Sequence, residues 1–382
     1  MKKLITIILC FLLISGCTEV YSSKLNKEIT FLGNIQDANG DMVLLLNTDT
    51  YITTVNPKYK DELVTKSKDL ITKYHMLLDS HHYYLDNNND QIVNIRTLNE
   101  NIDSGPVKVD PIIIDAIKEA KTLVQLTQGY FNFTIGKVSD LYHDKLLPYD
   151  STNVDPDIKD INYALDGVIN ADELDKYIVI DEINNTVELK SKESGSFKID
   201  LGAFSKGYIL NKVYEELIKY DTSFLLSAGS SSIITYSNIN EDISWNVAIK
   251  NPNNLDKQLL AFTLKSGAIS TSGDYENYYF LNNLTRRHHI LNPYTGYPEN
   301  HYRSNTLVSS NACLVDVLST ALFNVEDINT RKEILNNANK YYSEQVNYCF
   351  VDEDIDLIMN QGFHDILIDE YTSKDINNIT IE

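Results

Sequence analysis

The stretch SFKIDLGAFSKGYILNKV, residues 196–213, decides the reading of this chain. Residues 197–201 read as a strand, Gly202 and Gly207 mark a loop, and an amphipathic helix follows. Ile209, Leu210, Val213, Tyr214, Leu217 and Ile218 recur at helical spacing and give that helix one apolar face. Glycine lets a backbone come close to a ligand, and a helix N-terminus offers unpaired N–H groups to an anion. Lys206 places a positive charge at this corner, and Asp200 closes the strand with a negative one. A carboxylate and a lysine beside a glycine loop suit a nucleotide held at both its sugar end and its phosphates. Strand–glycine–helix corners are common, so this one draws its weight from what accompanies it.

Working outward, helical periodicity predicts helices over 58–78, 111–128, 208–219 and 313–325. Strands are predicted over 42–46, 177–181, 186–190, 244–250 and 258–264, besides 197–201. The Asn/Asp cluster at 86–90 and the segment 148–159 read as loops. Helices and strands interspersed in this way predict an α+β, or mixed α/β, fold.

The 382 residues carry 33 Lys+Arg against 54 Asp+Glu, a net charge of -21. Such a surface argues against nucleic acid, which needs a basic footprint. Lys2 and Lys3 precede an apolar stretch over 4–14, too short to span a membrane. It ends in Ile14-Ser15-Gly16-Cys17, which resembles a bacterial lipobox. Cleavage before Cys17 would leave its thiol to carry a diacylglycerol thioether. Acyl chains would then hold the protein at the extracytoplasmic face of the bacterial cell membrane. An ordinary secretory signal with an incidental cysteine is the other reading. Cys313 and Cys349 remain, too few for a disulfide framework.

Asp316 and Thr320 lie four residues apart on one face of an otherwise apolar helix. A buried carboxylate there needs a partner or a metal, and Asp and Thr offer hard oxygens suited to Mg²⁺ or Ca²⁺. Spacing alone favours a second arrangement, with Asp316 as a helix cap and Thr320 bonded back to the backbone. Ser270-Thr271-Ser272-Gly273-Asp274-Tyr275 is a small-residue loop that either wraps a ligand edge or simply turns. Arg286-Arg287-His288-His289 is a candidate phosphate or base site, with a solvated basic loop as the alternative, favoured for His288.

In order along the chain, these segments resemble the FAD:protein FMN transferases of the ApbE family. Gly129-Tyr130-Phe131-Asn132-Phe133-Thr134-Ile135-Gly136 is similar to the family's GaFDptvG run, and residues 200–211 to its DlGgiaKGya.D motif. Residues 271–276 correspond to TSGdyer, 289–298 to HiidPrtG.p, and 315–322 to aDalaTAl. The motifs fall within about residues 70–330. For the amino-terminal Met-Gly-Thr segment of the family, Phe31-Leu32-Gly33-Asn34 is the candidate counterpart.

The resemblance implies a two-lobed fold with FAD and a metal in the cleft. Residues 1–16 would be the lipoprotein signal peptide, 17–30 the lipidated cysteine and tether, and 31–382 the transferase domain. The implied activity moves the FMN half of FAD, with release of AMP, onto a Thr or Ser hydroxyl of an extracytoplasmic redox protein. The acceptor would carry an Asp-x-x-Ser/Thr-Gly-Ala-Ser/Thr segment, which this chain itself lacks. Implied metal ligands for Mg²⁺, or Ca²⁺, are the Ala203 carbonyl, Asp316 and Thr320. Implied FAD contacts are Asp200, Lys206 and Ile290, with Val138, Ser139 and Asp140 in a further stretch. His289, the motif histidine, is the candidate base, and Asp316 is catalytic through the metal. Asn132 and Asn292 stand where the family has acids, and Ser230 to Ser232 replace a Gly and an acid. These departures motivate a second reading, a lipoprotein that binds or hydrolyses FAD without transferring it.

Overall fold

The computed structural model describes residues 27–146 and 154–382. The leader and Cys17 lie outside the described residues.

Nine strands among the described residues form one sheet, in the order they occur along the chain. They are β1 (Glu28–Phe31), β2 (Thr50–Thr54), β3 (Phe224–Ala228), β4 (Ser232–Tyr236), β5 (Gly267–Gly273), β6 (Ser304–Ser309), β7 (Asn347–Val351), β8 (Leu357–Met359) and β9 (Ile379–Ile381). Neighbours are antiparallel up to β8, and β9 closes the edge in parallel. Glu28, Ile29 and Thr30, expected in the tether, already belong to β1 and pair with Thr54, Thr53 and Ile52.

Both faces of the central strands are buried, so their side chains alternate between two cores. Leu226, Ile234, Ala268, Leu307 and Phe350 point into the larger one. There the sheet is covered by α1 (Lys60–Leu78), α2 (Pro111–Leu126), α3 (Ser205–Leu217) and α4 (Ala312–Phe323). Leu225, Ile233, Ile269, Val308 and Cys349 point the other way, onto a hairpin of strands Trp245–Asn251 and Asn254–Leu264. Trp245, Leu260 and Phe262 of that hairpin are fully buried. The mixed α/β prediction holds, and those two hairpin strands were legible in the sequence.

The predicted strand at 197–201 is not a sheet strand. Phe197, Ile199 and Leu201 do alternate into the core, but the only bridge in the segment pairs Lys198 with Ile135. On one edge residues 133–136 bond its backbone, Gly136 N–H donating to Lys198 O and Asp200 N–H to Phe133 O. On the other a side chain stands in for a strand: Asn99 Oδ1 accepts the Ile199 N–H at 2.7 Å, and its Nδ2 donates to the Ile199 carbonyl at 2.8 Å. Backbone groups are thereby satisfied without a ladder. Helix α3 begins at Ser205, three residues before the predicted start, because Leu201 O already accepts the Ser205 N–H. The predicted loop at 148–159 gives way at Ile158 to the helix Ile158–Gly167, capped by Asp157 Oδ1 on the Lys159 N–H at 2.8 Å.

Helices α3 and α4 touch at Gly207. A Cβ there would lie 2.3 Å from the Ala312 carbonyl oxygen and 2.6 Å from Asp316 Cβ. The absence of a side chain is what lets the two helices meet at the site.

Candidate active site

The corner at 200–207 is braced from within. Asp200 Oδ1 accepts the Gly202 N–H at 2.8 Å, and Lys206 Nζ donates to the Gly202 carbonyl at 3.2 Å. Asp316 meets this corner from α4. Its Oδ2 accepts the Gly207 N–H at 2.8 Å, and its Oδ1 accepts Ser232 Oγ at 2.8 Å and Ser270 Oγ at 2.9 Å. Asp316 therefore does not cap its helix: Asn311 does, accepting the Leu314 N–H at 3.0 Å. Ser319 Oγ donates to the Asp316 carbonyl at 2.9 Å and joins Ser270 and Ser272 in a hydroxyl network.

A cavity of about 470 Å³ opens over this corner. Asp200, Ala203, Lys206, His289, Ile290, Asp316 and Thr320 all line it, as do Ser139 and Asp140. Asp140 is exposed and paired with Lys198 at 2.6 Å. Val138 is the exception among the sequence-derived candidates. Its side chain is fully buried in a small core with Tyr142, Ala164, Tyr279 and Leu291 and does not reach the cavity.

The basic cluster resolves into separate parts. Arg286 binds Asp274 at 2.7 Å, and Arg287 makes a two-pronged pair with Asp155 at 2.7 and 2.8 Å, so neither guanidinium lines the cavity. His288 is not on a solvated loop. It is fully buried, with Nε2 against the Glu299 carbonyl at 2.8 Å and Nδ1 accepting the Ile290 N–H at 3.2 Å. His289 faces the cavity and keeps an exposed flank. Crowding by the cleft walls, and then the Lys206 ammonium, push its imidazole below the ordinary histidine range. The exposed flank tempers the first of these effects, and both favour the neutral ring.

Several lining residues were not expected. Leu46, Asn47 and Thr48 form one wall. Leu46 and Asn47 have φ of 58° and 56°, the left-handed region that glycine favours. Phe31-Leu32-Gly33-Asn34, the expected Met-Gly-Thr counterpart, does not line the cavity. His81 and His143 also line the cleft, stacked with ring centroids 6.1 Å apart. The sequence signal for Ser232 and Ser270 was only that small polar residues cluster near the motifs.

The two asparagines at family acid positions have structural work. Asn132 Oδ1 accepts the Thr134 N–H and hydroxyl at 3.0 and 2.8 Å, while its Nδ2 donates to the Ile169 carbonyl at 2.8 Å. Asn292 Oδ1 accepts the Tyr294 N–H at 2.9 Å, and its Nδ2 donates to Glu299 at 2.9 Å. An amide oxygen makes the same turn bonds as a carboxylate, and the amide nitrogen adds a donor.

Whether a metal suits this site depends on its donors. Among the described residues, no group of three or more His, Cys, Asp or Glu side chains is placed to hold a metal. Asp316, the Thr320 hydroxyl and the Ala203 carbonyl provide one carboxylate and two neutral oxygens. That set fits a hard cation completed by water and ligand phosphates, as Mg²⁺ usually is. Three hydrogen bonds to Asp316 leave a lone-pair position unused, since a carboxylate offers about four.

The ApbE family model matches residues 50–342 of this chain. Among curated proteins, the chain is 28% identical over 232 residues to the FAD:protein FMN transferase of Klebsiella pneumoniae, covering 60% of this chain and 67% of that protein. It is 28% identical over 231 residues to the Vibrio cholerae protein of the same name, covering 59% and 64%. The matched stretch thus spans about two thirds of those relatives. Of solved structures, the ApbE protein of Thermotoga maritima superposes with a TM-score of 0.69 at 24% identity, over 88% of this chain and 99% of that one. The flavin transferase ApbE of Vibrio cholerae gives 0.65 at 19%, over 90% and 100%. These two likenesses establish the fold.

Proposed function

We propose that this chain, which belongs to the ApbE family, is an FAD:protein FMN transferase. The observation that carries the reading is convergence. Asp200, Lys206, His289, Ile290, Asp316 and Thr320, spread over more than a hundred residues of sequence, line one cavity.

In the proposed reaction, the acceptor hydroxyl oxygen bonds to the FMN-side phosphorus of FAD as the bond to the AMP oxygen breaks. AMP leaves with that electron pair, and the hydroxyl proton passes to His289. Lys206 and the corner backbone hold phosphate oxygens, and Asp200 holds the nucleotide from the opposite side of the loop. Asp316, Thr320 and the Ala203 carbonyl would hold Mg²⁺, or Ca²⁺, whose chemistry is to neutralise charge on the pyrophosphate. A neutral His289 is free to accept a proton at physiological pH. The acceptor hydroxyl belongs to a Thr or Ser of another protein, in an Asp-x-x-Ser/Thr-Gly-Ala-Ser/Thr segment. The mature protein is lipid-anchored through Cys17 at the extracytoplasmic face of the membrane. No helix among the described residues is long and apolar enough to cross a membrane.

The test incubates the purified protein with FAD, Mg²⁺ and an acceptor carrying an Asp-x-x-Ser-Gly-Ala-Thr segment, followed by intact-mass spectrometry. An acceptor mass gain of one FMN, blocked by EDTA, supports the reading. FAD binding with no gain on any such acceptor favours a flavin-capturing lipoprotein, and no FAD binding overturns both.

A further inference from the structure

We infer that His75, outside the motifs, is a positioning residue for the cleft: its buried imidazole holds the Leu46–Asn47 turn in the left-handed backbone that forms one cavity wall. The inference rests on the flavin reading of that cavity.

The turn is strained. Leu46 has φ 58° and ψ 23°, a conformation that crowds Cβ against the carbonyl for any residue but glycine. Two consecutive non-glycine residues in this region persist only where their surroundings dictate it. Three features dictate it here. The Leu46 side chain is buried in the larger core, so the turn cannot swing outward without exposing it. Thr50 Oγ1 donates to the Leu45 carbonyl at 3.0 Å on the far side of the turn. The Leu46 N–H, turned inward by its positive φ, donates to His75 Nδ1 at 3.1 Å.

His75 is itself fixed. It lies on the buried stripe of α1 with Leu63, Ser67 and Ile71, one turn from the helix end. Its Nε2 meets Tyr84 Oη at 3.0 Å, and that hydroxyl donates to Asp79 Oδ2 at 2.7 Å. Since Nδ1 accepts from Leu46, the ring proton sits on Nε2 and donates to Tyr84. The bonds run in one direction, Leu46 to His75 to Tyr84 to Asp79. Asp79 is held in turn by the His81 N–H at 2.6 Å and by His82 Nδ1 at 2.8 Å. Burial keeps the His75 ring neutral, which keeps Nδ1 an acceptor. The Asp79 end of the network also abuts the cleft, because His81, Asp79 and His75 line a small recess that shares Leu46, Asn47 and Asp200 with the main cavity. A turn whose N–H lost its acceptor would be free to relax toward negative φ and withdraw the Leu46–Asn47 wall.

The test compares His75→Asn and His75→Gln in the full chain, solubilised in detergent. An Asn oxygen reaches the place of Nδ1, whereas a Gln amide reaches that of Nε2. Two readouts are taken: FAD affinity by flavin fluorescence, and hydrogen exchange of the peptide spanning Leu46. His75→Gln is expected to weaken FAD binding at least tenfold and to speed Leu46 exchange. His75→Asn should stay within threefold of the parent on both. Equal losses for Asn and Gln would indicate a merely structural histidine and overturn the inference. So would unchanged Leu46 exchange in His75→Gln. If the parent binds no FAD, the flavin reading fails, and exchange alone decides whether His75 holds the turn.

Discussion

Asp316 Oδ2 accepts the backbone N–H of Gly207 at 2.8 Å, a bond between residues 109 positions apart that joins the glycine corner to the apolar helix α4. The same carboxylate is the one charged donor among the proposed metal ligands. Asp316→Asn keeps the side chain's size but removes its charge, and transfer should fall by at least about 100-fold, the scale of losing one key electrostatic contact. Mn²⁺ binding, followed by electron paramagnetic resonance, should be lost in parallel. Full Mn²⁺ affinity in this variant would remove Asp316 from the metal site.

Gly207→Ala tests the helix contact. The new Cβ would meet the Ala312 carbonyl oxygen at 2.3 Å, and backbone cannot rotate away as a side chain can. Overpacking of this kind costs about 1–3 kcal/mol. Urea unfolding should show that loss with an unchanged m-value. A midpoint equal to the parent's would mean that the helices are free to part.

His289→Ala should lower kcat by about 10²- to 10⁴-fold, the range for a general base, and leave FAD affinity within a few-fold of the parent. The split between kcat and FAD affinity is the decisive readout. A variant that loses FAD binding to the same extent as turnover would make His289 a binding residue.

The buried histidines should make the protein acid-labile. Burial pushes His75 down to about 4 and His288 to about 3, while an unfolded chain titrates near 6.5. As pH falls below about 6.5, the unfolded state takes up protons that the folded state refuses, so stability declines toward pH 4. For His75 alone the loss is on the order of 3 kcal/mol. Thermal melts between pH 7 and 4 should show the decline, and His75→Asn should flatten it in part. A pH-independent Tm across that window would contradict the neutral, buried assignment.

Asp274 Oδ2 faces two guanidinium groups, Arg286 at 2.7 Å and Arg303 at 2.8 Å, and the aspartate is almost wholly buried. Asp274→Ala removes the carboxylate shared by both cations, leaving Arg303 only the Asn253 and Pro252 oxygens, and should destabilise the protein by about 3 kcal/mol. Differential scanning calorimetry gives the value. A loss under about 1 kcal/mol would mean that solvent reaches the arginines once the carboxylate is gone.

How much of this was legible in sequence follows from what each residue does. Asp316 was legible because a carboxylate in an apolar helix is conspicuous, and the glycine corner because Gly207 and Lys206 punctuate it. The 197–201 segment was misread because its alternation reflects burial, which a single extended chain shares with a paired strand. What pairs it is Asn99 on one side, a hundred residues away, and the backbone of residues 133–136 on the other, and no local pattern reveals either. The Leu46–Asn47 wall was hidden for a related reason. Its positive φ values are imposed by tertiary contacts on residues whose own preference is otherwise. Ser232 and Ser270 were invisible as individuals, since serine runs read as turns until a carboxylate is found above them.

Strand β5 has a further consequence. Ser270 and Ser272 point toward α4, while Ile269, next to Ser270, points to the opposite core. Inserting one residue upstream would preserve every kind of ladder bond yet trade the two faces, burying hydroxyls among the hairpin's aromatics and aiming isoleucine at Asp316. This strand can change its letters far more readily than its length.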